Sequence, residues 1–136
     1  MTTLNTQPFQ QVFSQYPIVC AYAFGSAVVG STHAKSDLDI AVVPTEQFSF
    51  QDRLKLATQL QDMLSGQELD LSVLDSSASG LLVGQVLKGQ PIFVKDQLQK
   101  NAFEVSARKK YQRAKHLQKI YKPYLLAAID QGAYEY

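Results

Sequence analysis

The stretch AYAFGSAVVGSTHAKSDLDIAVVP, residues 21–44, decides the fold. An apolar run closes on Gly25-Ser26, ten residues intervene, and Asp37-Leu38-Asp39 opens a second apolar run that stops at Pro44. In a strand, residues i and i+2 share a face roughly 7 Å apart. Asp37 and Asp39 therefore project together, while Leu38, Ile40 and Val42 point into a core. Such a carboxylate pair can grip a divalent metal. Upstream, Ile18 to Phe24 reads as a buried strand rich in branched and aromatic residues. Gly25 permits a sharp turn, and Ser26 to Ser31 opens a short helix or turn.

Working outward, Phe9 to Tyr16 suits a short opening helix that Pro17 breaks. Ser49 and Asp52 form a capping-box-like start. Phe50, Leu54, Ala57, Leu60 and Leu64 then recur at helical spacing to about Ser65, so one helix face packs on the sheet, and Gly66 stops it. Glu68 to Leu74 alternates as a third strand, with Asp70 on its polar face. Residues 79–88 read as a helix capped by Gly89. Pro91 to Val94 reads as a brief strand, placed at an edge by its proline. A long helix follows from about Asp96, with Phe103, Ala107, Tyr111, Ala114, Leu117, Tyr121, Tyr124 and Leu125 stepping by three or four. Pro123 should bend or end it. The fold class is α/β, a small mixed β-sheet flanked by helices with a long C-terminal helix. The chain reads as one domain over 1–136, with a core over about 17–95 and a helical partner-docking segment over about 96–136.

The 136 residues carry a net charge of +1 that conceals an asymmetry. Residues 1–87 sum to −5, residues 88–122 to +8 and residues 123–136 to −2. An acidic half able to concentrate metal is joined to a basic stretch suited to phosphate or an acidic partner. The start lacks a secretory pattern and no run is long and apolar enough to span a membrane, so a soluble, cytoplasmic protein is expected. The single Cys20, within an apolar run, excludes a disulfide framework and a zinc site and reads as a small buried hydrophobe.

The acidic pattern suits nucleotidyl transfer from a nucleoside triphosphate. That reaction needs neutralised phosphates, an in-line nucleophile and help for departing pyrophosphate, most of which two metals about 3.5–4 Å apart supply. Magnesium takes hard oxygen ligands, usually a few carboxylates with substrate phosphates and water. Asp37 and Asp39 would hold the ions, and Asp70 would complete the metal that activates the attacking hydroxyl or accept its proton. Gly25 and Ser26 would bind nucleotide phosphate, through close backbone approach and a hydroxyl. A P-loop is excluded because Ser31 stands where that motif has its lysine. An EF-hand is excluded because apolar residues alternate directly with the acids. His33, Lys35 and Ser36, in the loop before the acidic strand, read as solvated, and His116 as surface.

Gly25-Ser26-x10-Asp37-x-Asp39, with Asp70 in a second alternating strand, resembles the minimal nucleotidyltransferases. These are small relatives of the DNA polymerase beta superfamily and include the antitoxins encoded beside HEPN-domain toxins. The resemblance runs from about residue 17 to about residue 95. It implies the polymerase beta-like nucleotidyltransferase fold, ATP with Mg2+, two ions, as donor system, and AMP transfer as the reaction. In the antitoxin branch it implies a tyrosine hydroxyl of a cognate HEPN RNase toxin as acceptor. The resemblance gives least guidance in the C-terminal segment. There, five of seven tyrosines lie between residues 111 and 136, interleaved with Arg108, Lys109, Lys110, Arg113, Lys115 and Lys119. Tyrosine and arginine are enriched at interfaces, which suggests a docking surface. A helix packed on its own sheet and a nucleic-acid-binding face are the competing readings. Rival functions are an antitoxin that occludes its toxin without chemistry, and nucleotidyl transfer to a small molecule or an RNA end.

Overall fold

β1 (Ile18–Phe24) is buried at all its positions, which requires a neighbour on each edge and a helical layer on each face. The computed structural model describes residues 7–25 and 37–130. In it β1 lies between β2 (Leu38–Pro44) and β4 (Gln90–Val94), and β3 (Leu69–Val73) completes a sheet of order β3-β2-β1-β4. β1 runs antiparallel to both its neighbours, whereas β2 and β3 are parallel. Parallel pairing needs a crossover, supplied by α2 (Phe50–Asp62). Pro91 sits on the edge strand, as expected of a residue that cannot donate to a ladder.

Strand alternation divides the core into two layers. On one face Leu38, Ile40, Val42 and Leu71 pack with Phe9 and Phe13 of α1 (Gln7–Phe13) and Leu56 and Leu60 of α2. On the other, Cys20, Tyr22, Phe24, Ala41 and Val43 pack with Val83 and Val86 of α3 (Gly80–Leu87) and Ala107 of α4 (Gln97–Asp130). Burial pushes the Cys20 thiol up to about 11, so it stays protonated near neutrality and acts as a small apolar side chain.

Several elements differ from the sequence expectation. α1 ends at Phe13, and a turn carries the chain through Tyr16, whose amide donates to the Phe13 carbonyl. The capping box at Ser49 is formed in both directions, with Asp52 as its acid. α2 ends at Asp62, short of Ser65. Its sheet-facing stripe is rotated from the expected one: Leu56 and Leu60 are fully buried, and Phe50 and Leu54 are exposed. α4 continues through Pro123 to Asp130. Proline cannot donate to the carbonyl one turn back, but here that carbonyl lies on an exposed segment where water can reach it.

A polar network fixes α4 on β1. The Tyr22 hydroxyl donates to Glu104 Oε2 at 2.8 Å, and Lys100 Nζ lies 3.0 Å from the same oxygen. Burial raises the Glu104 carboxyl, but the Tyr22 hydroxyl and the Lys100 ammonium outweigh it and hold the group below its ordinary range. Glu104→Ala is therefore expected to cost about 2–3 kcal/mol, because it strands a buried ammonium and a buried hydroxyl. Urea denaturation checks this; a change under about 0.5 kcal/mol, the usual surface scale, would contradict it.

Candidate active site

The acidic site forms where β1 ends and β2 and β3 begin. In the β1–β2 ladder Phe24 pairs with Asp39, and in the parallel β2–β3 ladder Asp39 pairs with Asp70. The two carboxylates are thus cross-strand neighbours on one face of the sheet. Asp39 is partly buried, whereas Asp37 and Asp70 are exposed. Burial raises the Asp39 carboxyl above its ordinary value; the negative charges of Asp70 and Asp37 and a hydrogen bond with Asp70 push it further the same way.

Gly25 carries a second function beyond the turn. Its φ is +81°, in the left-handed region that disfavours side chains. A Cβ built there would collide with Asp39 Oδ2 and lie 3.3 Å from its Cγ. The missing side chain therefore makes room for the carboxylate. The sequence assigns Gly25 to a sharp turn and to phosphate, and nothing in its pattern reveals which side chain would fill the space. Ser26, with His33, Lys35 and Ser36, lies outside the described residues, as does the expected turn or helix over Ser26 to Ser31.

Asp37, Asp39 and Asp70 interact electrostatically, but among the described residues no group of three or more histidines, cysteines or acids is already arranged as a metal cage. The donor set nevertheless fits a magnesium ion. Its oxygens are hard ligands, and their mutual repulsion is relieved by a divalent cation. His116 is exposed. No helix of the described residues is long and apolar enough to cross a membrane.

The raised Asp39 carboxyl has a consequence for stability. An unfolded aspartate ionises near its ordinary value of 3.8. Above that pH the unfolded chain releases its proton before the folded one does, so stability falls until Asp39 is ionised in the fold too. In metal-free buffer, Asp39→Asn is expected to melt above the wild type at neutral pH, with the gap closing below about pH 4. Thermal melts at both pH values check this, and a lower melting temperature for the variant at neutral pH would contradict it.

A carboxylate pair across the parallel strands β2 and β3 thus lies beside a glycine turn at the end of β1. The family model described as polymerase beta, nucleotidyltransferase, matches residues 7–98, and the chain belongs to that family. The match takes in α1 through β4 and leaves nearly all of α4 outside. Among solved structures, the chain is similar to a chain of the MntA-HpeT toxin–antitoxin bearing two Asp-to-Glu substitutions, at 27% identity and TM-score 0.73, covering 93% of this chain and 99% of the other. It is similar to a chain of a toxin–antitoxin with AMP-PNP at 29% identity and TM-score 0.72, with the same coverages of 93% and 99%. A third likeness, at 26% identity and TM-score 0.66, covers 95% of this chain and 99% of the other; it is to a chain of the tri-AMPylated Shewanella oneidensis HEPN toxin in complex with MNT antitoxin. No curated protein matches.

Proposed function

We propose that this chain is an antitoxin that transfers AMP from Mg-ATP to a tyrosine hydroxyl of a cognate HEPN RNase toxin and thereby neutralises it. The observation that carries this reading is the Asp39–Asp70 register pair beside Gly25, in a fold similar to MNT antitoxin. Asp37, Asp39 and Asp70 would hold magnesium, which when bound neutralises phosphate charge and favours the ionised hydroxyl. The tyrosine oxygen forms a bond to the α-phosphorus, the bond from that phosphorus to the bridging oxygen breaks, and pyrophosphate leaves. Asp70, which is exposed, would help hold the metal or would accept the proton of the attacking hydroxyl. The Gly25 turn, whose side-chain space the Asp39 carboxylate takes, would offer its backbone amide to phosphate, and Ser26 would add a hydroxyl.

A second reading, occlusion without chemistry, is favoured by the exposed apolar surface of α4. Stoichiometry separates the two. The enzyme should inactivate toxin present in large excess when given ATP and magnesium, whereas an occluding antitoxin must match the toxin in amount. Inactivation that tracks antitoxin mole for mole and ignores ATP would replace the first reading by the second.

A further inference from the structure

Gly89 stands where a helix-ending glycine is expected to take a left-handed backbone, yet among the described residues only Gly25 and Gly66 have a positive φ. Backbone conformation therefore does not call for glycine at position 89. Contact does. A Cβ on Gly89 would strike the Ala23 carbonyl oxygen and lie 2.8 Å from Phe24 Cβ and 3.0 Å from Phe24 Cα. The approach is set by a bulge in the β1–β4 ladder: Ala21 pairs with Phe93 but Tyr22 with Pro91, so Ile92 is an extra residue on β4. A regular ladder would have carried the pairing on to Gly89 opposite Gly25. The extra residue sets Gly89 against Phe24 instead, and bulges commonly re-aim a strand in this way beside functional sites.

Gly89 is held from two directions. Its amide donates to the Val86 carbonyl at 2.9 Å at the end of α3, and the next residue, Gln90, is paired with Ala23. It cannot swing away without giving up one of these. Phe24 is the looser partner, because the β4 ladder ends at Ala23 and Phe24 is paired only with Asp39 of β2. Next along the chain comes Gly25, packed so closely on Asp39 that a side chain would not fit. A push at Gly89 is thus delivered to Phe24 and through it to the approach of Gly25 on Asp39, since a close-packed interior transmits strain.

We infer that Gly89 is a positioning residue for nucleotidyl transfer, the stop that holds the Phe24–Gly25 end of β1 against Asp39. This rests on the proposed function, which makes Asp39 a magnesium ligand and Gly25 a phosphate contact. Gly89 acts through Phe24 and is assigned no contact of its own with nucleotide or metal. Gly84 supplies the comparison within α3. A Cβ there would collide too, but with the Tyr111 ring of α4, in a contact that involves no residue of β1 or β2. Overpacking destabilises at either position. Only at Gly89 does the collision fall on the strand end that carries the site.

The test uses the full chain as wild type, G84A and G89A, at a temperature where melting curves show each form folded. AMP label on the candidate HEPN toxin at saturating Mg-ATP is measured together with affinity for the toxin. Affinity for magnesium with an ATP analogue that carries a methylene between the α- and β-phosphorus is measured by calorimetry. G89A is expected to lose at least about tenfold both in saturated transfer and in affinity for the magnesium–analogue complex, with toxin affinity unchanged. G84A should melt lower but bind the analogue and transfer AMP as the wild type does. Hydrogen exchange on the wild type makes the test independent of whether G89A folds: the amides of Gly89 and Gln90 should slow when the magnesium–analogue complex binds, and that of Lys95, just past the other end of β4, should not. Wild-type transfer and analogue affinity in G89A, or equal losses in G84A, overturn the inference and leave the transferase reading standing. Unchanged exchange at Gly89 and Gln90 overturns it as well. A wild-type chain that binds the analogue yet labels no toxin overturns the proposed transfer, and the analogue affinities of the variants then decide the role of Gly89. A wild-type chain that binds no nucleotide overturns both.

Discussion

Asp37→Asn with Asp39→Asn is expected to lower AMP transfer by at least about a thousandfold while the fold survives. The loss follows from removing two carboxylates that would hold the catalytic ions, whose stabilisation of developing charge amounts to several kcal/mol, and each 1.36 kcal/mol is a factor of ten in rate. The survival follows from the environment. Asparagine matches aspartate in shape, and at position 39 it replaces a carboxylate whose charge is opposed by burial and by Asp70 and Asp37. Label on the toxin and a circular-dichroism melt on the same preparations decide the matter. Transfer within about tenfold of wild type, by a double variant with an intact melt, would remove these residues from the mechanism.

Gly25→Ala is expected to reduce transfer about a hundredfold, the scale on which an ångström of misplacement acts, and to cost about 1–2 kcal/mol of stability from the left-handed backbone alone. Gly66→Ala supplies the control. Gly66 has φ +80°, almost the value at Gly25, but a Cβ there meets nothing within 4 Å. Both variants should lose the backbone contribution, but only Gly25→Ala adds a collision with the Asp39 carboxylate. Equal losses of transfer in the two variants would mean that the close approach of Gly25 to Asp39 is irrelevant to the reaction.

Much of the sheet was legible because parity is a local property. The apolar run from Ile18 to Phe24 named its own burial, and the alternation through Asp39 and Asp70 placed both acids on one face, whereas Asp37, expected to open the strand, stands just before β2. The pairing of Asp39 with Asp70 was not legible, since the crossover sets the register of two parallel strands, and no pattern within either strand records it. The rotation of α2 escaped for a related reason. Phe50, Leu54, Ala57, Leu60 and Leu64 satisfy helical spacing, but the stripe is wide, and the sheet takes its Leu56–Leu60 side, leaving Phe50 and Leu54 at the rim. On α4 the periodicity from Phe103 to Leu125 is continuous, and only the end of the surface beneath it divides the packed half from the open one.

The most direct measurement of the central claim follows the position of the label. Wild-type chain, magnesium and the HEPN toxin are incubated with ATP labelled at the α-phosphate and, separately, at the γ-phosphate. Nucleotidyl transfer predicts α-label on the toxin, no γ-label, and loss of the α-label when Asp37 and Asp39 are both asparagine. Label from the γ-phosphate, or neutralised toxin bearing neither label, would contradict it.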